Sequence, residues 1–159
     1  MSNLGYATLE ELQAWAQGIM ARPRDFAIGD DPAAPYLNRW WVIPRNEGCN
    51  VYLHEILRSD DDRALHDHPW ANTSMILDGR YIEHLPDGSS HLREAGWIGS
   101  RTAEDAHRLE ILPGERCVSL FLTGSKVREW GFLCPKGWKH WRDFTGGANG
   151  ELIGEGCGE

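Results

Sequence analysis

Two histidines one residue apart, His66 and His68 in Leu65-His66-Asp67-His68-Pro69-Trp70, carry the clearest chemistry in this chain. Alternate side chains of a β-strand point to one face, so both imidazoles converge on one point. Imidazole suits zinc, copper, iron and nickel. Taken alone, the pair also reads as two surface histidines in a polar loop, the common fate of short motifs. The continuation favours the metal reading. Asn72 follows after three residues and Gly79 after six more. His66, His68 and Asn72 share a parity, so an unbroken strand shows all three on one face. Gly79 falls at the following turn, where a positive φ is often required.

The elements that must position these residues are short strands. The chain has 159 residues, enough for one domain with a sizeable core. Eight tryptophans and eighteen glycines suit a turn-rich β fold better than a helix bundle. One helix is signalled: Thr8 to Glu11 reads as a capping box, and Leu9, Leu12, Trp15, Ala16 and Met20 recur at helical spacing up to Pro23. After a loop at 30–35, strand-like runs span 38–43, 50–57, 72–77, 80–84, 91–93, 106–111, 117–123 and 128–133. The breaks between them carry Pro44, Asp78-Gly79, Pro86-Asp87-Gly88, Pro113-Gly114 and Gly124. No long helix interrupts this run, which argues against a parallel βαβ fold. The tail from Pro135 is aromatic and basic, then glycine-rich and acidic, and a loosely ordered end is expected there.

Charge and cysteines narrow the function classes. A net charge of −8 without a basic block argues against nucleic acid. No apolar stretch reaches membrane-spanning length. The N-terminus lacks the basic start and apolar run of a signal peptide, so the cytoplasm is the expected location. In that compartment Cys49, Cys117, Cys134 and Cys157 are expected as reduced thiols.

The spacing from His66 through His68 and Asn72 to Gly79 resembles the first motif of the cupin superfamily. That resemblance implies an all-β fold: a small antiparallel β-barrel or jelly roll over 36–135, with the N-terminal helix and linker (1–35) packed on it and a C-terminal extension (136–159). The superfamily's second motif supplies one more histidine across the barrel, and His107 is its match here, without the proline and glycine that usually precede it. Cupins typically carry a glutamate ligand where this chain has Asn72. Asparagine is neutral and a poor ligand, which leaves His66, His68 and His107. A face of three neutral imidazoles keeps the full charge of a divalent ion and favours an anionic or chelating substrate. Asn72 instead reads as a hydrogen-bonding partner of the bound substrate or as a polar strand-start residue.

Leu65-His66-Asp67-His68, Leu77-Asp78-Gly79, His107-Arg108-Leu109-Glu110 and Val118-Ser119-Leu120-Phe121-Leu122 together resemble the cysteine dioxygenase family. The resemblance covers roughly 36–122. It implies ferrous iron and oxidation of a small thiol with molecular oxygen. The family's Ser-x-His-x-Tyr relay falls on Ser119, Phe121 and Thr123, of which only the serine matches, and its cross-linking cysteine falls on Thr73. The expected function is therefore a mononuclear iron dioxygenase acting on a small anionic molecule. The alternatives are a non-catalytic metal- or ligand-binding cupin, and a metal-dependent isomerase or hydrolase using zinc, nickel or manganese as Lewis acid. The resemblance also implies a homodimer.

Arg39 is the first candidate for holding a substrate anion, through its forked guanidinium. Arg58 and Arg63 are weaker ones. Trp70 and Ser119 are expected in the pocket. His54 reads as a cavity-lining or half-buried strand histidine, and His84 as a substitute ligand. Glu110 has the wrong parity to face the metal. His91 and His140 read as surface residues, and the run Asp60-Asp61-Asp62 as a solvated turn.

Overall fold

The computed structural model describes residues 7–29, 31, 33–60, 64–148, 150 and 152–158. The expectations for Met1–Tyr6, Asp61, Asp62 and Arg63 lie outside the described residues. Helix α1 spans Leu9–Met20 and starts as its sequence dictates: Glu11 N donates to Thr8 Oγ1 at 3.2 Å and Thr8 N donates to Glu11 Oε2 at 2.7 Å. Leu9, Leu12, Ile19 and Met20 pack against a core of Ala16, Trp40, Leu53, Leu77 and Val118, which fastens the helix to the outside of the sheet. Complete burial of Leu53 and Leu77 contributes about 1.5–3 kcal/mol each.

The rest is antiparallel β. The strands are β1 (Phe26–Ile28), β2 (Leu37–Trp41), β3 (Asn50–Ile56), β4 (Leu65–His66), β5 (Asn72–His84), β6 (Ser90–Glu94), β7 (Ile98–Arg101), β8 (Arg108–Glu110), β9 (Cys117–Thr123), β10 (Gly131–Cys134) and β11 (Gly137–His140), followed by the short helix α2 (Trp141–Phe144). The larger sheet runs β1-β2-β3-β9-β5-β6, and β7 and β8 also pair with β5. The smaller runs β11-β10-β4. The two sheets meet where His66 and His107 form a bridge.

β5 is the spine of the barrel. Its first half pairs with β7 and β9, and its second half with β6 and β8. The sequence reading ended a strand at Leu77 and placed a turn at Asp78-Gly79. Instead the chain continues through a β-bulge between Ile76 and Asp78. Gly79 has φ +73, and a Cβ there would lie 2.0 Å from the carbonyl oxygen of Arg116. Positive φ is thus required, but inside a strand, where β5 curls from one pairing to the next. The bulged residue's carbonyl is not orphaned: Leu77 O accepts from Gln13 Nε2 of α1 at 2.7 Å.

Two further expectations are corrected. Cys134 and Cys157 form a disulfide, whereas Cys49 and Cys117 are free. Among its described residues the glycine-rich end makes specific contacts, where a loose end was expected. Gly146 and Leu152 form a bridge, Gly156 N donates to Phe144 O at 3.0 Å, and Lys139 Nζ donates to Gly156 O at 2.7 Å. Phe132 and Phe144 stack with centroids 3.7 Å apart in a small core that also takes in Trp130, Trp141 and the disulfide.

Candidate metal centre

The strand that was to carry His66, His68 and Asn72 without a break is interrupted. β4 ends at His66, Pro69 cannot donate to a ladder, and β5 begins at Asn72. His66 and His68 still line one cavity because the backbone at both is pinned. His66 N donates to His107 O at 2.9 Å and His107 N to His66 O at 3.0 Å, while His68 N donates to Ala103 O at 3.0 Å. Asp67, between the two histidines, faces the other way. Its carboxylate accepts from Gly131 N at 2.7 Å, Trp138 Nε1 at 2.9 Å and Arg128 Nη1 at 2.5 Å, which locks the motif to β10 and β11.

The three imidazoles form a nearly equilateral triangle. Ring centroids lie 5.1 Å (His66–His68), 4.9 Å (His66–His107) and 5.1 Å (His68–His107) apart, and one ring nitrogen of each lies within 4.8 Å of the others. Among the described residues this is the one group of metal-ligating side chains so arranged. Burial lowers the His66 pKa to about 4 against the opposing pull of Asp60. Burial, with the neighbouring His66 and His107, also holds His68 well below the usual value. Both His66 and His68 are thereby held in the neutral form, which donates a lone pair to a metal. The donor set fits a divalent transition ion.

A carboxylate backs two of the three. Glu83, 1% exposed on β5, takes His107 Nδ1 at 2.8 Å, and so leaves Nε2 for a metal. Glu83 also accepts from Arg93 Nε at 2.9 Å and from Arg101 Nη2. Burial raises its carboxyl pKa, but the His107 and Arg93 hydrogen bonds and the Arg101 charge outweigh that and hold it at about 2. Asp60 Oδ2 lies 3.6 Å from His66 Nδ1. Asp60 itself is buried and accepts from Tyr36 Oη at 2.6 Å and Leu109 N at 2.7 Å, so it is no solvated turn residue. Sequence reading missed Glu83 entirely; the available signal was an acid at an inward position, flanked by Ile82 and His84, in a strand.

The triangle opens on a cavity of about 850 Å³. Arg39, Trp70 and Ser119 all line it, together with His54 and Phe121. Trp70 stacks on His68 with centroids 5.4 Å apart, and Phe121 lies between Trp70 (5.5 Å) and His54 (4.9 Å). Arg39 Nε donates to His54 Nε2 at 2.9 Å, and its guanidinium covers the Tyr52 ring at 4.7 Å. Asn72 is placed differently. It is 4% exposed, does not line the cavity, and neither of its amide atoms has a partner. His84 is not with the triangle: its two ring nitrogens meet Glu110 Oε2 at 2.7 Å and Ser90 Oγ at 2.8 Å. Arg58 does not line the cavity.

No family model and no curated protein sequence matches the chain. Solved structures do. The fold is similar to the DMSP lyase DddQ from Ruegeria pomeroyi DSS-3, at 12% identity and TM-score 0.59, over 84% of this chain and 72% of that one. It is similar to a cupin-2 domain protein from Rhodospirillum rubrum, at 14% identity and TM-score 0.57, over 70% of this chain and 76% of that one. A third likeness is to the iron(II) form of HppE, at 12% identity and TM-score 0.52, over 63% of this chain and 56% of that one. These likenesses, with the curled antiparallel sheet, define the architecture as a cupin fold. They carry the fold alone; the chemistry rests on the residues.

Proposed function

We propose that this chain is a metal-dependent cupin enzyme, a mononuclear non-haem iron dioxygenase acting on an anionic substrate. The observation that carries the reading is the triangle of His66, His68 and His107, backed by Glu83 and Asp60, at one wall of a cavity that also holds a guanidinium. His66, His68 and His107 would hold ferrous iron, which would supply Lewis-acid and one-electron chemistry toward the substrate and molecular oxygen. The chain's own residues do the rest. Glu83 keeps the His107 proton on Nδ1 and so fixes the orientation of its ring. Arg39 neutralises and orients the anion, and Trp70 and Phe121 keep water from the space between.

The cysteine dioxygenase resemblance supports the iron more than the substrate, because Phe121 and Thr123 stand where that family handles protons. The same absence favours a second reading, a cupin that binds a metal and ligand without turnover. Oxygen consumption by iron-loaded protein, screened over thiols, diketones and hydroxy acids, separates the two. The dioxygenase reading expects uptake with at least one class, abolished in His107→Ala. Stoichiometric iron without uptake points to the binding protein, and turnover with zinc but not iron to a hydrolase or isomerase.

A further inference from the structure

Arg39 is a half-buried cation in the wall of this cavity, with no counter-charge among the described residues. Burial pulls its pKa down. Its partners are a neutral histidine nitrogen and the face of a tyrosine ring. Among the described residues no carboxylate lies within ion-pair distance of it. By contrast Arg93, Arg101, Arg116 and Arg128 each hold an acid. Buried charges in folded proteins are paired, so a solitary guanidinium at a cavity wall is half of an ion pair whose other half arrives with a ligand. Arg45 lines the same end and adds a second positive charge.

The wall between Arg39 and the metal ligands shapes the ligand. It runs from His68 to Trp70 to Phe121 to His54, with successive centroids 5.4, 5.5 and 4.9 Å apart, and Arg39 bonds to His54. Trp70 and Phe121 thus form a continuous aromatic face that an apolar body can lie against. The space agrees: about 850 Å³ falls within the range of sites for drug-sized ligands, and much of the wall is aromatic.

We propose that the cavity selects an amphipathic acid with a bulky apolar body. Its oxyanion head pairs with Arg39, its apolar or aromatic body lies along Trp70 and Phe121, and its other end meets the three histidines. Small α-amino thiols, which lack such a body, fall outside this class. The proposal rests on the metal-enzyme reading only for that last contact; the head and body sites belong to the cavity itself.

Calorimetric titration of the full chain, as purified and after chelator treatment, tests it. The probes are 4-phenylbutyrate, phenethyl phosphate, the neutral 4-phenylbutyramide, acetate and L-cysteine. At least one of the two long anions is expected to bind tenfold or more tighter than acetate, L-cysteine and the amide, and the tighter of the two names the head group. Arg39→Gln removes this advantage, and Phe121→Leu narrows the margin over acetate while the amide still binds poorly. Should Arg39→Gln fail to fold, the comparison of acid with amide still decides. Equal binding of L-cysteine or acetate, no binding of either long anion, or undiminished binding in Arg39→Gln overturns the proposal. Chelator-treated protein is expected to retain the Arg39-dependent binding. A chain that binds the acid but never holds metal would sink the metal-enzyme reading and leave the head and body sites standing.

Discussion

At Glu83 a single carboxylate serves three partners: a candidate metal ligand, His107, and two arginines, Arg93 and Arg101. The two roles separate by substitution. Glu83→Gln keeps the shape and an acceptor for His107 but loses the charge, and metal affinity is expected to fall about 10–100-fold, measured by competition with a chromogenic chelator. Glu83→Ala strands the arginines and is expected to cost about 3–5 kcal/mol in denaturant unfolding. His54 makes a second point at this scale. Burial, with the charge of Arg39, holds its pKa well below the ordinary value of 6.5, so the folded protein keeps it neutral while the unfolded chain takes up a proton. Stability from this group is therefore present above about pH 6.5 and is lost as pH falls below that. Unfolding curves between about pH 7 and pH 5 should show a steeper decline for the wild type than for His54→Gln, and parallel declines would contradict this.

The elements show how much could be read from sequence, and why the rest could not. The capping box of α1 and the alternation of β3 and β9 are local patterns, and both appear where the residues place them. His-x-His is legible for the same reason: a period of two needs no tertiary information. β7 and β11 went unread because four-residue strands with an internal or leading glycine have no period to detect. The continuity of β5 was hidden by Asp78-Gly79, which signals a turn in isolation and is here a bulge covered by Arg116 and Gln13. A substitution measures that difference. Gly79→Ala places a Cβ against backbone at a positive φ and is expected to destabilise by about 1–3 kcal/mol. A surface turn would tolerate alanine with a shift near the low end of that range or less, and thermal unfolding distinguishes the two.

For the whole molecule, the C-terminal extension matters more than its composition suggests. β11 extends the smaller sheet that carries His66, and Gly150 and Leu152 through Cys157 contribute part of the wall of the cavity that the histidines line. The disulfide ties that wall to β10. This was illegible in sequence because the cysteines were judged by expected compartment rather than by neighbourhood, 23 residues apart across a folded segment. Thiol counting checks it. Denatured, unreduced protein should show two free thiols and reduced protein four. In the native state the exposed Cys49 should alkylate, whereas Cys117, fully buried with its pKa pushed up to about 12, should not. Reducing the disulfide, or replacing Cys157 with Ser, is expected to speed loss of bound metal to a chelator, because the tail then no longer closes that side of the cavity. An unchanged rate would mean that the hydrogen bonds of Gly156 and Lys139 hold the wall without it.

The central claim is that His66, His68 and His107 hold one transition-metal ion in the wall of an anion-binding cavity. Elemental analysis of protein purified without added metal, for the wild type, His107→Ala and His84→Ala, addresses it most directly. The account predicts stoichiometric metal, with iron the leading element, in the wild type and in His84→Ala, and none in His107→Ala. Substoichiometric wild type even after loading with iron, zinc, nickel or manganese would contradict it. So would metal retained in His107→Ala and lost in His84→Ala.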